Sequence, residues 1–153
     1  MKTEPQKSLR PDLVDTVFPL VESIRRMLGR VDTLWSDVGL NPSEAAVLER
    51  LFIDHNGTAR SGALLGHPVR STPALGKVLS SLEDMGLIAR ERSTEDRRIV
   101  VVTGTAEGRD LYTSLIEQIL TLVVGPTTAA LDDADFTELR RITAKLEPPD
   151  PDL

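Results

Sequence analysis

The N-terminal part of the chain carries apolar residues at every third or fourth position. From Asp12 to Val38 this spacing places the apolar side chains on one face of a helix. The residues are Leu13, Val17, Leu20, Ile24, Met27, Val31, Leu34 and Val38. Pro19 lies inside the stretch and removes one backbone donor, so we expect either a kink near Phe18 or two abutting helices. The pattern predicts a long amphipathic helical segment.

Helix-capping sequences predict the elements that follow. The sequence NPSE at 41–44 combines an asparagine cap, a proline in the first turn and a glutamate that can reach back to the cap. Thr58 is expected to cap a short helix that ends at Gly66, and Ser71 to cap a further helix that ends at Gly86. This order of helices is that of a helix-turn-helix.

Two short runs of strand character follow, at 87–92 and 99–103, and the polar segment 93–98 separates them. They predict a β-hairpin with an exposed tip. After Thr105 come two helices with apolar faces, which we expect to be divided at residues 125–126, where glycine precedes proline. The predicted fold is mainly α with a small β-hairpin wing: a winged helix-turn-helix flanked by N- and C-terminal helices.

The composition limits the kinds of function. A length of 153 residues with 40% hydrophobic residues fits one compact domain, and a formal net charge of −6 means that any nucleic-acid contact needs a local basic patch. The chain has no cysteine, and its histidines, His55 and His67, have no carboxylates at ligand spacing around them. We therefore expect no metal site and no cofactor.

Enzymes and membrane proteins are not expected from the sequence. No nucleophile, base and orienting partner occur together, and there is no phosphate-binding loop. The segment 1–8 has no apolar core of signal-peptide length, and no later apolar run is long enough to span a bilayer. The expectation is a cytoplasmic protein with no membrane partner.

Several short motifs between Leu64 and Gly108 occur in a fixed order. They are SxP at 71–73, LExxGLI at 82–88, arginines at 90 and 92, DRR at 96–98 and TAEG at 105–108. In these motifs the chain resembles the MarR family of winged helix-turn-helix transcription regulators. The resemblance implies a sequence-specific regulator that binds double-stranded DNA, and we expect a ligand-responsive repressor.

The helices that flank the winged part are too long and too apolar for a small winged domain to cover, so we expect them to form a two-fold interface. The resemblance implies the same homodimer, whose two recognition helices would read a near-palindromic site. The expected ranges are 9–147 for a single domain, about 41–104 for its winged core, about 12–38 and 106–147 for the dimerisation helices, and 1–8 and 148–153 for disordered tails.

The predicted DNA contacts lie on the wing and on the recognition helix. The resemblance puts the family's aspartate-x-arginine motif on Asp96 and Arg98. Residues two apart on an extended arm point the same way, so the carboxylate can hold the guanidinium for insertion into a narrow minor groove. Arg97 would point elsewhere, towards a phosphate. The recognition helix enters the major groove with its N-terminal residues, Ser71, Thr72, Pro73, Ala74 and Lys77. The candidates for phosphate contacts are Arg60, Arg70, Arg90 and Arg92.

A small ligand is a further implication of the resemblance. Family members commonly bind small aromatic or anionic molecules between the dimerisation helices and the winged domain. Arg26 and Trp35 lie on the helix that would border such a pocket. They are the candidate effector residues.

Departures from the family pattern keep a second function open. Ala74 and Gly76 stand where the family more often has polar side chains. Pro68 and Val69 replace leucine and glycine before the recognition helix, which affects the angle of the turn. Gly104 replaces a leucine, so looser packing is expected where the chain leaves the wing. The alternative function is that of a winged-helix dimer acting through protein–protein contacts, with weak or no specific DNA binding.

Overall fold

The computed structural model describes residues 11–146, which form six α-helices and one three-stranded antiparallel sheet. The helices are α1 (Pro11–Asp37), α2 (Pro42–Glu49), α3 (Thr72–Asp84), α4 (Ala106–Ile119), α5 (Gly125–Thr128) and α6 (Asp133–Leu146). The strands are β1 (Thr58–Arg60), β2 (Ile88–Arg92) and β3 (Val100–Gly104), with β3 in the middle of the sheet. The mainly α fold with a small β wing is confirmed. The tails predicted at 1–8 and 148–153 lie outside the described residues.

The first helix runs unbroken past its proline. α1 spans 27 residues with Pro19 inside it, so the alternative of two abutting helices is wrong. One missing hydrogen bond leaves the helical turns on either side of Pro19 intact. Near its C-terminal end α1 contacts the core through Trp35, which is buried, and through the half-buried Val31 and Leu34.

The start of α2 is fixed by the predicted capping box. The Asn41 Oδ1 accepts hydrogen bonds from the backbone N–H groups of Ser43 at 2.9 Å and Glu44 at 3.1 Å. The Glu44 carboxylate in turn accepts from the Asn41 N–H at 2.8 Å, which satisfies this carboxylate although it is buried. α2 then continues into a wider helical turn, Arg50–Asp54.

The segment after this turn differs from the prediction. Thr58 does not cap a helix, because Thr58–Arg60 forms β1 and pairs with β3 in the register Thr58↔Thr103. The expected short helix is reduced to a single 3₁₀ turn, Ser61–Leu64, whose Leu64 side chain is completely buried. The short helix expected before α3 is therefore nearly absent, and α3 is reached through a loop.

The C-terminal helices also differ from the expected division. The Thr105 side chain caps α4, since its hydroxyl accepts from the Gly108 N–H at 3.0 Å. The helical path does not end at residues 125–126, however, but passes through a wide turn, Leu120–Val124, into α5. Pro126 lies in the first turn of α5, directly after this wide turn.

The core lies between α2, α3 and the sheet and extends to the C-terminal end of α1 and to α4. Its fully buried large side chains are Leu40, Val47, Leu48, Leu51, Leu64, Leu82, Val102, Leu115 and Val123. The helices outside this core leave large apolar side chains exposed. On α1 these are Val14, Val17, Phe18, Leu20, Val21, Ile24 and Leu28, and on α6 they are Phe136, Leu139 and Ile142.

A helix that crosses a bilayer needs sufficient length and hydropathy. No single helix within residues 11–146 is long and apolar enough to cross a membrane. One pair, 106–128 and 133–145, passes together by length and composition, with a bend of 105° between its members.

Candidate nucleic-acid interface

The tip of the wing is fixed by short-range hydrogen bonds. The Asp96 Oδ1 accepts from the Arg98 N–H at 2.9 Å, and the Asp96 carbonyl accepts from the Ile99 N–H at 2.9 Å. The Ser93 hydroxyl accepts from the Glu95 N–H at 3.2 Å, and the Ser93 N–H donates to the Ile99 carbonyl at 2.9 Å. Residues 93–99 are therefore a turn rather than an extended arm.

Within this turn the structure brings Asp96 and Arg98 together as expected, but by a different route from the predicted one. Strand alternation does not align them, since they lie in a turn in which the Asp96 carboxylate caps the Arg98 backbone. The Arg98 Nε lies 3.8 Å from the Asp96 Oδ1, and the Arg98 side chain is 94% exposed. The result is a fixed backbone that carries an arginine almost entirely in solvent.

Arg97 and Arg92 lie together on another part of the wing. With Ser93 and Thr94 they line a shallow cleft of about 360 Å³. The prediction had named both arginines for phosphate contact without relating them to each other. Their common cleft offers two guanidinium groups and two hydroxyls, which are the donors that bind a phosphate.

The N-terminal turn of α3 exposes most of the predicted recognition residues. The Ser71 hydroxyl caps the helix, accepting from the Ala74 N–H at 3.4 Å. Ser71, Thr72, Pro73 and Lys77 are exposed, whereas Ala74 is half-buried against the core rather than fully outward. A Cβ at Gly76 would meet no atom within 4 Å, so packing inside the protein does not require glycine there.

Arg90 is engaged inside the protein. Its Nε donates to the Glu83 carboxylate at 2.8 Å and its backbone N–H donates to the same carboxylate at 3.1 Å. The hydrogen bond from Arg90 is the main reason why the pKa of Glu83 lies below its usual range. This pair connects α3 to β2, and it disfavours the predicted phosphate contact of Arg90. Arg60 and Arg70, by contrast, have exposed side chains before α3.

Arg50 is a residue that the sequence did not single out. Its guanidinium donates to the Leu64 carbonyl at 3.3 Å and also to the His67 carbonyl. A Cβ at Gly66 would lie 2.6 Å from this guanidinium, so glycine leaves the space that Arg50 fills. Arg50 thus ties the end of α2 to the loop that precedes α3, across 14 and 17 residues of sequence. No local pattern signals such a contact.

The exit of the wing is tightly packed, contrary to expectation. A Cβ at Gly104 would lie 2.4 Å from the Phe52 ring. The space of the leucine expected here is therefore taken by Phe52, which belongs to the wide turn that follows α2. The Phe52 ring also stacks on Tyr112, with ring centres 5.2 Å apart, and lies 5.3 Å below the Arg109 guanidinium.

The two candidate effector residues are not brought together. Trp35 is 6% exposed and lies in the core. Its ring centre lies 6.2 Å from that of Tyr112, so the two rings meet where α1 contacts α4. Arg26 is nine residues earlier on α1, about 13 Å along the helix axis, and lines a surface cleft with Arg30. The Tyr112 hydroxyl is buried without a hydrogen-bond partner among the described residues, and burial raises the pKa of Tyr112 to about 12.

Part of the chain matches a known protein family. Residues 40–100 match the model of the MarR family. The predicted resemblance to the MarR family is confirmed. The matched segment of this MarR-like chain runs from the buried Leu40 through α3 to the start of β3. No curated protein matches the chain.

Solved structures extend the likeness to the flanking helices. AbsC, a MarR family regulator from Streptomyces coelicolor, is similar with a TM-score of 0.75 and 19% identity, covering 90% of this chain and 93% of AbsC. A MarR family protein from Bacillus stearothermophilus has a TM-score of 0.72 and 17% identity, with 91% and 96% covered. Bordetella bronchiseptica BpsR, whose DNA binding is regulated by 6-hydroxynicotinic acid, has a TM-score of 0.67 and 18% identity, with 98% and 100% covered. At these identities the likeness shows the fold.

Proposed function

We propose that the chain is a transcription regulator that binds a near-palindromic site in double-stranded DNA as a homodimer and acts as a repressor. The observation that carries this proposal is the wing tip, where local hydrogen bonds fix the backbone and leave Arg98 94% exposed at the end of a hairpin. A narrow minor groove, with its concentrated negative potential, attracts such an arginine.

The charge near α3 supports the same function despite the acidic total. Residues 55–82 contain no aspartate or glutamate, and they contain Arg60, Arg70 and Lys77. The net charge of −6 therefore comes from other parts of the chain, and the surface around the recognition helix is locally basic. In the proposed complex Ser71, Thr72, Pro73 and Lys77 face the major groove.

We assign the phosphate contacts to arginines whose side chains are exposed. Arg92 and Arg97 share the wing cleft, and Arg60 and Arg70 are exposed, so these four residues fix the position of the protein on the backbone. Arg90 is left out of the proposal because it holds Glu83. Such contacts make binding fall steeply as salt rises.

A dimer is supported by the exposed apolar side chains of α1 and α6. Seven large apolar residues of α1, from Val14 to Leu28, are exposed in the single chain. A second copy that covers them would hold two α3 helices at a fixed separation, as required for half-sites about 34 Å apart.

Regulation by a small aromatic or anionic molecule is the remaining part of the proposal. It is supported by BpsR, whose DNA binding responds to 6-hydroxynicotinic acid. In this chain the position near Trp35 is filled by the rings of Tyr112 and Phe52. A ligand there has to displace Tyr112, which links ligand binding to the contact between α1 and α4.

The test is fluorescence anisotropy of the full chain with the duplex upstream of its own coding sequence and with a scrambled duplex, at low and moderate salt. We expect tighter, salt-sensitive binding to the upstream duplex. Arg98→Ala should weaken it at least about tenfold, or about 1.4 kcal/mol. Arg140→Ala, which removes an exposed arginine from α6, is the matched control and should bind normally.

Two outcomes contradict the proposal. If neither duplex binds at low salt, the protein-interaction alternative is favoured, and partners should then be sought by pull-down. If Arg98→Ala binds as tightly as the unmodified chain, the wing contact is removed from the proposal even where the duplex is bound.

A further inference from the structure

The side chain of Glu83, one residue before the end of α3, is hydrogen-bonded to the wing. One carboxylate oxygen accepts from the Arg90 backbone N–H at 3.1 Å, and the other accepts from the Arg90 Nε at 2.8 Å and from its Nη2. Three donors on two acceptors fix both a distance and an angle, which a single hydrogen bond does not. Within residues 11–146, no other side chain of α3 is hydrogen-bonded to the hairpin 88–104.

Arg90 lies close to the level at which the wing loses its third strand. It stands opposite Val102 of β3, and β1 pairs with β3 only as far as Val101. Residues 92–100, the outer wing, therefore have no strand of β1 beside them. The Glu83–Arg90 pair is thus placed where it can set the direction of the outer wing.

The three arginines that we assign to DNA on the hairpin all belong to the outer wing: Arg92, Arg97 and Arg98. Arg92 is two residues beyond Arg90, so the two side chains lie on the same face of β2, about 7 Å apart along the strand. Both line one cleft together with Glu83. A rotation of the hairpin about the ion pair therefore displaces Arg92, and it displaces Arg98 in the turn beyond it by more.

The pair adds little to the stability of the fold. The Arg90 and Glu83 side chains are 28% and 37% exposed, and ion pairs that water can reach contribute little to the free energy of unfolding. Variants without the pair should therefore still fold. The effect of the pair lies in where it holds the outer wing.

A protein that enters two grooves of one DNA site must hold its two binding elements at the separation of those grooves. We infer that the Glu83–Arg90 pair positions the outer wing so that Arg98 reaches the minor groove while α3 occupies the major groove. Glu83 and Arg90 are positioning residues, which act through Arg98. The inference rests on the proposed function and adds a determinant of specificity to it, since full binding then requires a site that matches in both grooves.

The first experiment is a double-mutant cycle, measured by fluorescence anisotropy on the duplex upstream of the coding sequence. Arg98→Ala should weaken binding about tenfold in the unmodified chain but less than about threefold in Glu83→Met, because an outer wing that is not held gains little from its arginine. Arg90→Met should reduce the cost of Arg98→Ala by less, since its backbone N–H still donates to Glu83. Urea unfolding checks that each variant is folded.

Glu138→Met is the matched control. Glu138 accepts from the Arg141 Nε at 2.6 Å, and both side chains are about half exposed. The control therefore loses an ion pair of the same chemistry on α6, which carries none of the proposed DNA contacts. Arg98→Ala should keep its full cost in this variant. An equal cost of Arg98→Ala in Glu83→Met and in Glu138→Met overturns the inference, because a pair with a merely structural role leaves that cost unchanged.

The mobility of the outer wing supplies a test that needs no DNA. The chain has no cysteine, so Glu95→Cys, in the exposed turn, takes a single fluorescent label. The amplitude of the fast anisotropy decay should rise in Glu83→Met and not in Glu138→Met, because nanosecond motion of the outer wing is released. Unchanged mobility overturns the inference. Released mobility in a protein that binds neither duplex contradicts the proposed function instead.

Discussion

Replacing Arg50 with methionine tests how α3, the proposed recognition helix, is held in place. The loop between the 3₁₀ turn and α3 has little structure of its own, and Arg50 bonds two of its carbonyls, those of Leu64 and His67. Methionine keeps an apolar stem of similar length but has no donor. The two carbonyls then lose their charged partner and Gly66 loses the group that covers it.

The expected loss of stability follows from the two hydrogen bonds that Arg50 donates. Net contributions of about 1.5–3 kcal/mol are usual for hydrogen bonds to charged groups. Arg50 is half-buried and its acceptors can be rehydrated, so we expect the free energy of unfolding to fall by about 2 kcal/mol for the pair. The loop should open more readily, and affinity for the specific duplex should fall about tenfold.

The assay combines urea unfolding with anisotropy on the same preparations. Arg109→Met is the matched control, because Arg109 also reaches a loop carbonyl, that of Asn56, but at 3.4 Å and away from α3. It should lose only about 0.5–1 kcal/mol of stability and none of the DNA affinity. The reasoning is refuted if Arg50→Met and Arg109→Met lose DNA affinity equally, or if Arg50→Met loses none.

Three further predictions concern single side chains. Lys77→Ala should lower the ratio of specific to random duplex affinity in anisotropy titrations, and equal losses on both duplexes would assign Lys77 to phosphate. Tyr112→Phe should raise the free energy of unfolding by about 1 kcal/mol at neutral pH, because it removes a buried hydroxyl without a partner. Since folding raises the pKa of Tyr112 from 10.0 to about 12, the free energy of unfolding should fall as pH rises through that range. Phenolate absorbance of this single tyrosine measures the shift, and a midpoint near 10 in the folded protein contradicts it. Gly104→Ala should destabilise the fold by about 1–3 kcal/mol in urea unfolding, because the added methyl group would clash with Phe52. Gly76→Ala, whose methyl group meets open space, should be neutral or stabilising. Similar losses of stability in both glycine variants would contradict the packing argument.

The elements that could be predicted are those whose cause is local in sequence. The caps predicted at Asn41 and Ser71 each involve a partner at most three residues away, and both are present. The hairpin was predicted because its turn lies between its strands. The Asp96–Arg98 contact was also predicted, but alternation along an extended arm was the wrong reason, since a turn brings the two together.

The features that were missed depend on contacts across the chain. β1 has only three residues and becomes a strand because Val102 and its neighbours in β3 offer hydrogen bonds more than 40 residues later. Thr58 alone looks like a helix cap. In the same way Gly104 appears as a gap until Phe52 is known to fill it. Tertiary contacts of this kind override local preference.

These contacts bear on how the proposed regulator would discriminate between DNA sites. The first turn of α3 exposes few groups that can bond to base edges, since Ala74 is half-buried and Gly76 has no side chain. Each half-site is then read weakly, and discrimination depends on engaging both recognition helices and both wings together. Simultaneous engagement requires each α3 to be held at a fixed position. The hydrogen bonds from Arg50 to the loop before α3 and from Arg90 to Glu83 therefore matter more here than in a protein whose recognition helix has more side chains that bond to bases. The decisive measurement therefore compares binding to a full palindrome with binding to a single half-site. Arg50→Met should lose more affinity for the palindrome than for the half-site.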